Sequence, residues 1–277
     1  MSFKINSNIS ALTANVNSGM NSAGINKSLG ALASGSMLNS SAYNSAGLSI
    51  ANQFSAQVAA MGQSIMNSND SIGLVQVADG ALEEYGDILE NVRRLSIQAS
   101  NDTLNSDDRA IIQKEIDSLM SSADDIAKST KYNGINLLDG TGGSAGDGTF
   151  VTHTGANSGE SQNVKIGDAQ TASILGAPID VTSQAGASSA IDTIDSAINS
   201  INGIRADLGA AQNQLISNIK NTSVTQVNIA SAESQMRDLD FAAESANFSK
   251  LNILSQSGSF AQSQANASQS SVLNLFR

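Results

Sequence analysis

Apolar residues recur along this chain at two spacings, and chiefly at the helical one. From residue 5 to 32, Ile5, Ile9, Leu12, Val16 and Met20 follow steps of three and four. Ile25, Leu29 and Leu32 continue the pattern. Such steps return to one face of an α-helix. Gly35 is placed to end this helix, because glycine enters the left-handed cap conformation at little cost. A longer pattern runs from about Ser45 to Ala99 through Phe54, Val58, Met61, Ile65, Ile72, Val75, Leu82, Leu89 and Val92. At 1.5 Å per residue it predicts a rod on the order of 80 Å long. Gly73 and Gly80 lie inside it. Each costs about 1 kcal/mol relative to Ala, which predicts a neighbouring backbone in close approach.

After a break at Asn101–Ser106, Asp107 and Asp108 suit the positive end of a third helix. That helix is built on Ile112, Ile116, Leu119, Ala123 and Ile126, with Lys128 and Lys131 near its end and Asn133–Gly134 expected to stop it. Residues 140–190 change character, with ten glycines, the only proline (Pro178) and the only histidine (His153). Phe150–Thr154 and Asn163–Ile166, joined across Gly155–Gly159, predict a hairpin, and the rest reads as loop or exposed tip. Next comes a heptad from Ile191 to Ile229 with eight apolar residues in twelve core positions, the mark of a coiled-coil-like helix. Arg205, Gln212, Thr222 and Gln226 interrupt it. Leu239, Ala246, Ile253, Phe260 and Ala267 share one later heptad position, but with Ala, Lys, Ser and Gln as partners. The last helix is therefore expected to be marginal alone and to order with partners. The fold class predicted is mainly α, a long coiled-coil-like helical bundle with a small β-hairpin.

Charge alters this picture at both ends. The first 69 residues carry two charged side chains, Lys4 and Lys27, and no acid; the last 33 carry Lys250 and Arg277. Helices of a soluble monomer usually have a charged outer face, so neutral patterned ends point to segments that meet other protein on most sides. Aromatics are 4 % and Trp is absent, so packing relies on many small contacts. A net charge of −11 opposes nucleic acid as a partner, since phosphates need clustered Lys and Arg. Zero Cys excludes disulfides and thiolate chemistry. No apolar run approaches the roughly 20 residues that cross a bilayer, so no membrane partner is expected. Residues 1–16 lack the apolar core of a cleaved secretory signal, and export would need another route.

Catalytic agents are scarce. His153 lies in a Gly/Thr-rich stretch without a nearby carboxylate and reads as exposed loop, not as a positioned base. The pairs Glu83–Glu84, Asp107–Asp108 and Asp124–Asp125 consist of helical neighbours about 100° apart, as on solvated faces. No phosphate loop, dinucleotide fingerprint, zinc spacing or nucleophile elbow occurs, so no enzyme and no cofactor are expected.

Several separate motifs carry a resemblance. They include Asn6–Leu12, Lys27–Leu29 with Ala33–Gly35, Ala46–Asn52, Val92–Leu95 with Ile97–Ala99, and Tyr132–Leu138. Gly155–Glu160, Arg205–Ala210, Ser234–Asp238 and Val272–Arg277 complete the set. Together, in order over about 1–138 and 190–277, they resemble the bacterial flagellins. The resemblance implies a subunit that polymerises with itself into the extracellular flagellar filament for swimming. It would be exported unfolded through the flagellar type III channel and fold at the filament tip. It also implies termini paired as helices, with residues 1–42 and 236–277 forming an inner domain. Residues 43–235 would form a rod-shaped helical domain with the hairpin and a short tip at about 140–190. The short middle marks a minimal member without large outer domains. Assembly contacts are expected at Ile5, Ile9, Leu12, Val16, Leu29, Leu32, Leu239, Ile253, Phe260, Val272, Leu275 and Phe276. Partners implied are an export chaperone, the filament cap and hook-associated proteins. A hook–filament junction protein shares such ends and is the alternative reading.

Two departures from the family pattern matter. Ala31, Met37, Tyr43, Asn44 and Ser45 stand where flagellins commonly carry Arg and acids, which predicts junctions held by packing and amide hydrogen bonds. Many flagellins are sensed by a Toll-like receptor; Leu95 and Glu115 match typical contacts, while Asn91 replaces an Arg. Weakened sensing is expected.

Overall fold

The structure, a computed structural model, describes residues 7–275, apart from the side chains of Gln269 and of 272–275. The elements in chain order are α1 (Ile9–Ser34), α2 (Ser45–Ala99), α3 (Ser106–Ser129), β1 (Lys131–Tyr132) and β2 (Ile135–Asn136). There follow β3 (Thr149–His153), β4 (Ser161–Lys165), α4 (Thr171–Leu175), α5 (Gln184–Arg237) and α6 (Phe241–Leu275). The chain divides into two compact units, one formed by 1–56 with 228–277 and the other by 57–227.

Local chemistry sets the helix ends. The Asn8 side chain accepts from the Ala11 N–H at 3.0 Å to open α1, and Gly35, at φ 65°, closes it. Asn105 and Asp108 form a capping box at α3. Asp240 accepts from the N–H groups of Ala242 and Ala243 and opens α6.

The core of the 57–227 unit is one continuous apolar cluster. α2 supplies Val75, Leu82, Tyr85, Leu89 and Val92; α3 supplies Ile112, Ile116 and Met120; α5 supplies Ile194, Ile201, Leu208 and Leu215. Ion pairs bind α2 to α5 along its flank, in antiparallel order. Arg93 Nε meets Asp195 at 2.5 Å and Arg205 Nε meets Asp79 at 2.8 Å. Farther along, Gln226 donates to the Val58 carbonyl at 3.0 Å.

The structure departs from expectation in three ways. Asn133–Gly134 does not stop α3, which already ends at Ser129; with φ of 49° and 81° the pair makes the tight turn between β1 and β2. Residues 140–190 are not simply loop and tip, because Val164, Ile166, Ala169, Leu175, Ile179 and Val181 are buried in the cluster. Their apolar positions are too sparse to show a period. The glycines of α2 do not admit a neighbouring backbone either. A Cβ on Gly73 would touch the Tyr132 side chain at an ordinary 3.5 Å, and one on Gly80 would meet open space. The β3–β4 hairpin pairs Thr149 with Lys165 through to His153 with Ser161, and His153 is an exposed strand residue.

Candidate assembly interface

α1 and α6 run antiparallel within the 1–56/228–277 unit, and the face they share is unexpected. Asn8 lies against Ala265, Gly24 against Leu251, and Ser28 against Glu244. The α1 positions turned inward are Ala11, Ala14, Ser18, Asn21, Gly24, Ser28 and Ala31; those of α6 include Phe248, Leu251, Ser255, Gly258 and Gln262. Small residues let the two backbones approach but bury little apolar area. The apolar stripe read from the sequence faces the other way. Ile9, Leu12, Val16 and Met20 are 62 %, 65 %, 56 % and 62 % exposed, on the side of α1 opposite Ala11, Ala14 and Ser18. In α6, Ile253 and Phe260 are 64 % and 74 % exposed, seven residues apart and opposite the inward face.

The remaining expected contacts divide. Leu29 is exposed, while Leu32 and Leu239 are half-buried. Ile5 and Phe276 lie outside the described residues, as do the side chains of Val272 and Leu275. Exposed apolar residues not singled out as contacts from the sequence include Phe241 and Leu254 on α6, and Ile111, Val224 and Val227 in the other unit. Met20 had a signal, since it continues the α1 stripe; Leu254 had none, since it falls off the heptad. Of the three receptor-contact positions, Asn91 and Glu115 are exposed and Leu95 is half-buried against the core.

Several polar groups in the unit of paired ends are specifically placed. The Ser28 hydroxyl, 1 % exposed, donates to the Glu244 carboxylate. Lys27 Nζ stands 4.6 Å from the Tyr43 ring centre, a cation–π contact. Asn44 accepts from the Gly47 N–H at 2.9 Å and caps α2. The residues after α1 are stitched to the α5–α6 turn: Met37 N donates to Arg237 O at 2.8 Å and Leu239 N to Gly35 O at 3.2 Å. Arg237 itself reaches Asn52 Oδ1 at 2.7 Å and Glu233 at 3.2 Å. Among the described residues no group of acids and histidines could hold a metal ion.

Shifted carboxylates belong to the other unit and have structural causes. Hydrogen bonding from Arg93 holds Asp195 below its ordinary range, and hydrogen bonds from Thr182 do the same for Asp180. Burial pushes Asp139 up, but hydrogen bonds from Thr141 and Asn136 outweigh it and leave the group lowered. Each is held by hydrogen bonds within a turn or by an interhelix ion pair.

The architecture is thus a helical unit of paired chain ends with an unpartnered apolar face, and a separately packed helical unit. The family model for the bacterial flagellin N-terminal helical region matches residues 5–142, and that for the C-terminal helical region matches residues 191–276. The chain belongs to the bacterial flagellins. Flagellin FlaB2 of Treponema pallidum is 35 % identical over 285 aligned positions, covering 99 % of each chain. A flagellin of Halalkalibacterium halodurans is 36 % identical, again over 99 % of both. The crystal structure of Bacillus cereus flagellin is 31 % identical with a TM-score of 0.51, over 61 % of this chain and 94 % of that one. This flagellin is a structural subunit of the extracellular flagellar filament, and flagellins polymerise with their own kind. No helix among the described residues is long and apolar enough to cross a membrane.

Proposed function

We propose that this flagellin enters the filament through the apolar face that its paired end helices turn outward. The contacts are Ile5, Ile9, Leu12, Val16, Leu29 and Leu32 at one end of the chain, and Leu239, Ile253, Phe260, Val272, Leu275 and Phe276 at the other. The exposure of Ile9, Leu12, Val16, Ile253 and Phe260 in the single chain carries the reading. A continuous apolar stripe left in water is a surface awaiting other protein. Residues 1–42 and 236–277 form the inner layer of the filament, and 43–235 the rod-shaped layer around it. The chain does no catalysis. It passes through the flagellar type III channel with an export chaperone, and meets the filament cap and hook-associated proteins on arrival. Asn91, exposed and without the guanidinium fork, weakens Toll-like receptor sensing beside Leu95 and Glu115; a reporter-cell response equal to that of a flagellin with Arg there would refute this.

The test is growth on seeds. Purified protein added to sheared filament fragments should extend them, and changing Leu12 and Val16 to Ser should stop extension while leaving the 57–227 unit folded by circular dichroism. Extension by the double variant at the unaltered rate would overturn the proposal.

A further inference from the structure

The seam between α1 and α6 raises the question of register. Sliding one helix by a heptad replaces Ala11 by Ser18, or Ser255 by Gln262, so most of the seam would accept several alignments. Two of its features would not. A Cβ on Gly24 would come within 3.3 Å of the Leu251 methyl groups, so Leu251 is seated on a position without a side chain. Four residues on, Ser28 is buried and donates to Glu244, the only acid of α6, while Asn247 Nδ2 stands 3.4 Å from both oxygens. The only other side-chain hydrogen bonds between the two segments, among the described residues, join Asn8 to Ala265 and Asn266 at the far end. A one-heptad slip sets Leu251 against Asn17 or Ala31, and Glu244 against Asn21 or Gly35. Neither slip restores both the glycine seat and the hydroxyl donor, and a half-buried carboxylate without its donor is disfavoured.

We infer that Gly24, Ser28 and Glu244 are positioning residues that fix the register of α1 on α6, and with it which outward apolar residues of the two helices stand side by side. A polar group inside a helix seam specifies alignment because only one alignment satisfies it. The functional consequence rests on the assembly face proposed above, since a slipped pair would offer Ile9–Met20 and Ile253–Phe260 in the wrong relation. The register itself does not rest on that reading.

The chain has no Cys, so introduced pairs report register directly. Ser255→Cys is combined with Ser18→Cys for the native alignment, and with Ala11→Cys or Ile25→Cys for the two slips. Oxidative cross-linking is then measured on the full chain, free and assembled. The unaltered seam should give the 18–255 link. Ser28→Ala with Glu244→Ala should raise the ratio of slipped to native links about tenfold, the effect of losing a hydrogen bond to a charged acceptor. Glu244→Gln, which still accepts from the hydroxyl, should keep the native ratio. An unchanged ratio in the double variant, with both links falling together, would overturn the inference. So would a shift with Glu244→Gln as large as with Glu244→Ala. If the ratio shifts as expected while seeded polymerisation stays normal, the register inference stands and the reading of the outward face falls.

Discussion

Replacing Phe260 by Ala separates assembly from folding. Phe260 is 74 % exposed in the single chain, on the side of α6 turned away from α1. Removing it costs the paired ends almost nothing, and Ala favours the helix. Burial in a filament would be a different matter. A Phe side chain covers about 150–250 Å², so roughly three-quarters of that, about 110–190 Å², remains to be covered by neighbours. At about 25 cal/mol per Å² this is about 3–5 kcal/mol as an upper bound, and side-chain transfer gives about 1.5–3 kcal/mol. A loss of about 2–3 kcal/mol raises the critical concentration for polymerisation about 30- to 160-fold. Sedimentation of seeded reactions at graded protein concentrations measures it, alongside thermal unfolding of the unassembled chain. An unchanged critical concentration would show that Phe260 is not covered on assembly. A fall in unfolding temperature as large as that of a core deletion would show instead that it is packed within the chain.

Leu89→Ala provides that core comparison: fully buried in the 57–227 cluster, it should lower stability by about 2–5 kcal/mol in denaturant titrations. The folded Asp195 titrates below its ordinary value because Arg93 donates to it, so its contribution is complete above the unfolded pKa of about 3.9. That contribution is lost as pH falls through the lower folded value. Asp195→Asn should therefore flatten the acid limb of the stability profile below about pH 4, and an unaltered limb would contradict the pairing. Filaments should resist moderate salt at fixed pH, since Ala31 is buried, Asn44 is a cap and Tyr43 stacks on Lys27 where the family commonly places ion pairs. Release of subunits between low and moderate salt, followed by light scattering, would count against that.

Some helix ends were legible, because the chemistry that makes them is local. Gly35 closes α1, and Asp107 and Asp108 stand in the first turn of α3, as their types suggest. Asn105 as the cap of α3 was not singled out, and that helix ends at Ser129 rather than at Asn133–Gly134. The five-heptad pattern of α5 was equally plain, and its Ile194, Ile201, Leu208 and Leu215 are buried. The α1–α6 seam was not legible. Periodicity reports that a face can be buried without saying by what, and the apolar stripe of α1, Ile9–Met20, is turned away from the intrachain partner. The α1 face in use is Ala, Ser, Asn and Gly, which hydropathy does not distinguish from a solvated surface. The buried Leu175, Ile179 and Val181 were missed for another reason: they pack as isolated apolar residues in a Gly-rich segment, where no repeat marks them.

Electron cryo-microscopy of filaments grown from the purified chain shows whether neighbouring copies cover the outward apolar face. The expected result is a helical polymer in which α1 and α6 remain paired, with Ile9, Leu12, Val16, Ile253 and Phe260 covered by neighbouring copies. Filaments in which those five side chains stay in contact with water, or pack against the chain's own residues, would contradict it.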